Sequence, residues 1–407
     1  PLISTGTSSD TITFTVTWGD GSSTQTFTRN ADDSNLTSSN IVKHTYTTAR
    51  ANLTVEVLVT SVASGQGVAW NGLSNGSGAS GSGGERTDVG MYAKLIEVSA
   101  TVGSSQDVQW GLGNLIYLTG SFFKAVKLTK VPQAIPDSVI STAHAFRDAI
   151  LFNQNIAATI PAGNPGAGYY GWDMSNVTTA DNMFNNAAAF NNGGSGDINN
   201  WNVSKVTDMR SMFYDAEAFN QDISRWNTSK VTNMEAMFFN AVVFNQDINT
   251  QLISEGGSSY TAWDVSKVIN MSSMFNFANA FNGNITQWDV SGVKNMKGLF
   301  TTAIAFNQDI GQWNVSQVTD MGFMFASAAA FNQDISAWDV SSVRDMSYMF
   351  FGAINFVNNP AKWSSAKPTR GINLLDTWGQ SAHLANNNKR AKIANVLDFT
   401  KMFENAT

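Results

Sequence analysis

At seven tryptophan positions, the residue after the indole is Asp or Asn and the residue two further on is Ser. The pairs are Asp173/Ser175, Asn202/Ser204, Asn227/Ser229, Asp264/Ser266, Asp289/Ser291, Asn314/Ser316 and Asp339/Ser341. Oxygen-rich pairs at fixed spacing can bind glycan hydroxyls, a cation or a protein surface. They can equally bond each other and the nearby backbone. Stacked about 4.8 Å apart, they would form an Asp/Asn column beside a Ser column. Asp173, Asp264, Asp289, Asp339, Ser266, Ser291 and Ser341 are the candidate ligands on this face, with a self-satisfied ladder as the alternative. Asn mixed among Asp lowers repulsion along the column, which suits a ladder. Calcium is the one cofactor signalled, and weakly, because no calcium-loop spacing is present; no other cofactor is implied.

A second set of candidates lies where the regular spacing is interrupted. "TIPAGNPGAGYYG" (159–171), "GGSG" (193–196) and "QLISEGGSSY" (251–260) enter ahead of a tryptophan. Insertions at one point of a repeat fall on one edge of a stack, and such an edge often binds. Tyr169, Tyr170 and Tyr260 would be exposed there, suited to stacking on sugars or anchoring protein contacts. Tolerated loop drift is the alternative.

Catalytic chemistry finds little support. The chain has three histidines, His44, His144 and His383, and no cysteine. That excludes disulfides, thiolate metal sites and cysteine nucleophiles. No HExxH, Walker or GxGxxG pattern and no Ser-His-Asp set appears. The expectation is a protein that is not an enzyme and has no catalytic residues.

Charged residues make up 14% of the 407, and the net charge is −7. Lys and Arg do not cluster, so nucleic acid is not expected as a partner. No apolar run reaches the roughly 20 residues of a membrane span. The chain begins with Pro1, which suggests a processed protein or a fragment.

The elements that position these candidates are repetitive. Tryptophans at 172, 201, 226, 263, 288, 313, 338 and 363 are spaced 29, 25, 37, 25, 25, 25 and 25 residues, and a fixed period of this size signals a solenoid. In one turn, Ile310, Trp313, Val315 and Val318 fit a short strand with alternate residues inward. Met321, Met324, Phe325, Ala328 and Phe331 follow at helical spacing. Asp208, Asn233, Asn270, Asn295, Asp320, Asp345 and Asp398 sit where a helix N-cap belongs, with Thr179 in the equivalent place. Asn220, Asn245, Asn282, Asn307 and Asn332 follow the last Phe, where Asn tolerates a left-handed stop. The reading is a leucine-rich-repeat-like β/α solenoid of about eleven 25-residue turns. Thr407 stops inside a turn, so either more chain or another subunit is expected to cover that end.

Ahead of the repeats, "TITFTVTW" and "LTVEVLV" alternate with period two and predict strands, joined through the tight turn "WGDGSS". With "HTY" at 44–46, these residues resemble the PKD domain, an immunoglobulin-like sandwich of extracellular proteins. "TTARANLTVEV" departs from that family's Gly-containing turn. The expected organisation is multidomain: a PKD-like all-β sandwich over 1–62, a Gly/Ser-rich linker over 63–87 and degenerate N-terminal repeats over 88–171. Regular repeats follow over 172–363, then degenerate ones over 364–407.

The motif W-[DN]-V-S-x-V-x-[DN]-M-x-x-M-F-x-x-A-x-x-F-N-Q-D-I resembles the BspA-like surface-protein repeat, also described as the mycoplasma/listeria lipoprotein 25-residue repeat. That resemblance implies a non-enzymatic adhesive or structural protein, exposed outside a cell or on a virion. It implies partners that are proteins or further copies of the chain. A carbohydrate-binding module using the insertion-edge tyrosines is the competing expectation.

Overall fold

The computed structural model describes residues 2–4, 11–17, 22–30, 56–62, 68–70, 115–131, 135, 139–157 and 171–357. The N-terminal strands are β1 (Leu2–Ser4), β2 (Thr11–Thr17), β3 (Gln25–Asn30), β4 (Glu56–Val62), β5 (Val68–Trp70) and β6 (Leu115–Tyr117). The two alternating runs become neighbours: β2 sits between β3 and β4 in an antiparallel sheet. Val16 is buried while Thr15 and Thr17 are half-buried, as period two requires of a strand with one covered face. Strand β5 falls inside the stretch read as a linker. It pairs antiparallel with β1 and parallel with β6. His44 and the HTY motif lie outside the described residues.

In the repeats the apolar skeleton is buried as the periodicity requires. Ile310, Trp313, Val315, Val318, Met321, Met324, Phe325, Ala328 and Phe331 are all at most 3% exposed. Successive turns stack like on like. Phe300, Phe325 and Phe350 follow one another at 5.7 and 5.5 Å between ring centroids. Phe281, Phe306 and Phe331 form a second column at 6.0 and 5.9 Å. Each buried large side chain stabilises by roughly 1.5–3 kcal/mol, and no turn could bury its face alone.

The helix expected over 321–331 does not form, and this corrects the helical half of each turn. Instead the chain runs through overlapping β-turns. Met324 N–H donates to Met321 O at 3.2 Å, Ala326 to Phe323 O at 3.0 Å and Ala328 to Phe325 O at 3.0 Å. The intervening N–H groups leave the segment. Those of Met321, Phe323, Phe325 and Ser327 donate to Asp345, Ser347, Met349 and Phe351 of the next turn, at 2.6–2.8 Å. A helix would keep all of these bonds to itself; here half of them tie one turn to the next. The strand expected around Trp313 is likewise absent. Parallel pairing narrows to one residue per turn, in the series Ser141, Thr179, Asp208, Asn233, Asn270, Asn295, Asp320, Asp345.

From Thr179 onward these bridge residues are the expected caps, and those from Asp208 to Asp345 make the expected kind of bond in a different setting. Asp208 Oδ1 accepts Arg210 N–H at 2.9 Å, and Asp345 Oδ1 accepts Ser347 N–H at 2.8 Å. The bond opens the first β-turn rather than a helix. Asp398 lies outside the described residues.

The asparagines after the last Phe are also corrected: none of Asn220, Asn245, Asn282, Asn307 and Asn332 has a positive φ. Each offers its side-chain oxygen to the backbone of the next turn. Asn220 accepts Asn245 N–H at 2.9 Å, Asn245 accepts Asn282 at 2.7 Å, Asn282 accepts Asn307 at 2.8 Å and Asn307 accepts Asn332 at 2.9 Å. Gln246, Gln308 and Gln333 brace the ladder through Nε2 to the asparagine carbonyls. The left-handed backbone lies instead within the turn run, at two positions per turn, such as Ser273 and Phe277 or Phe323 and Ser327. A type II turn needs positive φ at its third residue, and a non-glycine residue there costs roughly 1–2 kcal/mol.

The tryptophans clasp neighbouring turns as well as filling the core. The indole N–H of Trp226 donates to Ile198 O at 2.9 Å, Trp263 to Ile223 O at 2.8 Å and Trp288 to Ile248 O at 2.7 Å. In each case the acceptor belongs to the preceding turn. Trp201 Nε1 is the exception, buried and without a hydrogen-bond partner.

Candidate binding surface

The Asp/Asn and Ser residues are brought together pairwise within each turn. Asp264, Asp289 and Asp339 accept through Oδ1 the backbone N–H of Ser266, Ser291 and Ser341, each at 3.0 Å. Asp173 accepts Ser175 N–H at 2.8 Å and its hydroxyl at 2.9 Å. Asn202, Asn227 and Asn314 make the same backbone bond at 3.1–3.2 Å. One oxygen of every side chain in the column is therefore committed to folding its own turn. Asp289 and Asp339 are exposed and Asp173 and Asp264 half-buried. The local bonding alternative accounts for this pattern in full, and a ligand would meet only what that bond leaves over.

The insertion at 251–260 is a β-hairpin, β7 (Gln251–Glu255) paired antiparallel with β8 (Ser258–Ala262) around Gly256 and Gly257. Both glycines have positive φ, 56° and 82°, as a tight hairpin turn requires. Tyr260 does not stand free on it. It is half-buried, and its hydroxyl donates to Arg225 O at 2.7 Å. Arg225 also pairs with Glu255, and Gln251 Nε2 donates to Ser224 O at 3.1 Å. The hairpin is thus fastened to the turn before it, and Tyr260 is one of the fasteners. Tyr169 and Tyr170 lie outside the described residues.

The "GGSG" insertion is built differently. Asn192, buried, donates to Ser195 O at 2.9 Å and accepts Ile156 N–H at 3.1 Å. Asp197 accepts Asn155 Nδ2 at 2.8 Å and Ser195 Oγ at 2.7 Å. Those hydrogen bonds hold its carboxyl below the ordinary range. The polar groups are consumed in closing the loop.

His144, the one histidine among the described residues, has a carboxylate beside it. Its Nε2 lies 3.4 Å from Asp181 Oδ2, and Arg210 lies 3.7 Å from the same oxygen. Burial lowers the imidazole pKa, against the opposing pull of Asp181. Asp181 also accepts Thr179 Oγ1 at 2.8 Å and Asn182 Nδ2 at 3.1 Å. The cluster satisfies itself across three turns and sets no nucleophile against a base. Among the described residues, no three His, Asp or Glu side chains converge as a metal ion would require. Among them, too, no helix is long and apolar enough to cross a membrane.

The turn-run face carries aromatic residues that sequence reasoning passed over. Tyr214 stacks on Phe239 at 4.4 Å and 2°, and Phe239 meets Phe277 edge-on at 5.7 Å. Farther along, Phe323 stacks on Tyr348 at 4.8 Å and 11°. These residues occupy positions that the repeat motif leaves variable, so their signal was an aromatic at a position with no periodic reason for one.

Comparison with known proteins agrees with the repeat pattern. The family described as "Mycoplasma protein of unknown function, DUF285" matches three times, over residues 101–194, 162–258 and 253–363. No curated protein and no solved structure matches the chain. The three family matches together take in more than half of the sequence and the whole of the regular repeat array, so the chain belongs to this family of repeat proteins.

Proposed function

We propose that the chain is a non-enzymatic, surface-exposed structural or adhesive protein whose repeats form a solenoid-like scaffold working through protein contact and assembly, outside a cell or on a virion. The observation that carries this reading is how the repeats spend their polar side chains. The bridge Asp and Asn, the Asp–Ser pairs and the asparagine ladder are all bonded to backbone. Ile304, Ile354 and Phe277 meanwhile remain exposed at 47%, 50% and 42%. A framework stiffened by its polar groups, with apolar side chains at the surface, suits contact with another macromolecule better than chemistry on a small one.

The test has two arms. Antibodies against the folded chain should label intact cells or particles of the source, and sedimentation across a concentration series should show association. A chain that stays monomeric throughout, with labelling only after lysis, would overturn the reading.

A further inference from the structure

Lysines that lie 25 and 37 residues apart in the chain, Lys205, Lys230 and Lys267, take the same position of successive turns, and the next turn carries Lys294 two residues farther on. The turns bring them into one file. Lys205 Nζ donates to the side-chain oxygen of Asn176, the residue at its own position one turn back. Lys294 N–H donates at 2.9 Å to the carbonyl of Ile269, in the turn of Lys267. All four lysines are exposed, and among the described residues none of their ammonium groups pairs with a carboxylate. The bridge residues of the Lys230, Lys267 and Lys294 turns are the neutral Asn233, Asn270 and Asn295. Asp264 and Asp289 turn an oxygen to the N–H groups of Ser266 and Ser291 instead. Like charges on neighbouring strands or turns repel, so folding gives no reason for this file.

A second file has the opposite sign. Asp222, Asp247, Asp309 and Asp334 each precede the buried isoleucine of their turn, with Asn284 at the position between the two pairs. Asp247 Oδ1 accepts Asn284 N–H at 2.8 Å, so these positions adjoin from turn to turn. Asp222, Asp309 and Asp334 give Oδ1 to the backbone N–H two residues on, at 2.8–3.0 Å, a bond that leaves the charge in place. All four aspartates are exposed. Both files advance one position per turn of the same array, and they therefore share one pitch. When Lys205 of one copy is set on Asp222 of a parallel copy, Lys230 falls on Asp247, Lys267 on Asn284 and Lys294 on Asp309.

We propose that the lysine file docks on the aspartate file of a second copy of this chain, side by side and in the same direction. The proposal rests on the assembly reading above and names the surfaces that carry it. The charges are complementary, and the common pitch brings the other pairs into register once one has formed. A polyanion whose charges repeat at another spacing would fall out of step with the lysines. The contact is heterologous and leaves one file unused on each outer copy, so further copies add to the row. Exposed ion pairs are individually weak and screened by salt, and the association should be salt-dependent accordingly.

The test is sedimentation of the whole chain over a concentration series, at about 0.01 M and about 1 M salt. The parent should associate at the low salt and come apart at the high. One variant reverses the basic file (K205E/K230E/K267E/K294E). The other neutralises the acidic file while keeping the oxygens that accept backbone N–H groups (D222N/D247N/D309N/D334N). Each should melt close to the parent and, alone, associate at least tenfold more weakly. Mixed in equal amounts they should pair again one to one, because the first still brings aspartates and the second still brings lysines. Damage to the fold would not be repaired by mixing. Association that survives in both variants, or that mixing fails to restore, overturns this proposal and leaves the assembly reading standing. A parent that stays monomeric at every concentration and salt overturns both.

Discussion

The side chain of Asn307 accepts the backbone N–H of Asn332 at 2.9 Å, while Asn307's own N–H is held by Asn282 Oδ1 at 2.8 Å. Each asparagine in this ladder is thus acceptor to one neighbouring turn and donor to the other. Gln333 Nε2 adds bonds to Asn307 O and Oδ1 at 2.8 and 2.9 Å. Asn307→Ala removes the side-chain oxygen and leaves a part-buried N–H unpaired. The expected cost is about 1–2 kcal/mol, read as a lower urea midpoint at unchanged slope. Asn307→Asp keeps the acceptor, so at neutral pH it should lose less. Equal losses in the two variants would show that the ladder oxygen is not what stabilises the junction.

Gly283 stands where other turns carry Gln, as at Gln246, Gln308 and Gln333. Repeat averaging would therefore favour a side chain at 283, whereas the packing argues the opposite. A Cβ there would lie 2.0 Å from Gln246 O and 2.7 Å from Gln246 C. Backbone cannot rotate out of the way as a side chain can. Gly283→Ala is expected to destabilise by about 1–3 kcal/mol, seen as a fall in melting temperature. A neutral result would mean that the two turns separate freely at this point.

The sequence made the buried positions legible and left much of their backbone hidden. Ile310, Trp313, Val315, Met321 and Phe331 were identified as core by spacing alone, because burial follows period. Yet the spacing of Met321, Met324, Phe325 and Ala328 suits both a helix and a run of overlapping turns. What separates the two is whether Phe325 N–H bonds within its segment or to Met349 O, 24 positions along. No local propensity encodes that competition. The asparagine after each Phe misled in the same way, since a left-handed stop is its local habit and the ladder bond reaches a turn away. Among candidate site residues, the Asp–Ser pairing was legible because its alternative was local. The tether from Tyr260 to Arg225 O crosses from hairpin to repeat and was not.

Ala236 adopts φ 51° in the turn run, where neighbouring turns place Ser211 and Ser273 at 52° and 56°. Its Cβ gives the left-handed conformation the steric cost that glycine avoids. Ala236→Gly relieves that cost but adds freedom to the unfolded chain, which offsets part of the gain. The net expectation is a stabilisation of about 0.5 kcal/mol. The control is Ala241→Gly, where the alanine is buried as Ala236 is but has no positive φ, and which should destabilise. If both variants lose stability alike, position 236 does not hold the conformation described.

Asp320 differs from the bridge asparagines Asn233, Asn270 and Asn295 in carrying a charge. Burial raises its carboxyl pKa, with Gly322 N–H opposing at 2.9 Å and the nearby Asp345 carboxylate adding to the rise. A group whose folded pKa exceeds its unfolded value binds its proton more tightly in the native state. Its contribution to stability is therefore fully present below the unfolded carboxylate pKa of about 3.9 and is lost as pH rises through the folded value. Asp320→Asn keeps the oxygen that accepts Gly322 N–H and removes the titration. The variant should exceed the parent at pH 7 by about 0.5 kcal/mol, the scale of substitutions away from the core. That advantage should shrink as pH falls toward 4. Chemical denaturation at the two pH values decides it, and a variant less stable at pH 7, or an advantage independent of pH, would refute the assignment. The same logic gives a reason for Asn at three of the bridges. A neutral side chain makes the turn-opening bond without placing a half-buried charge beside its neighbours in the column.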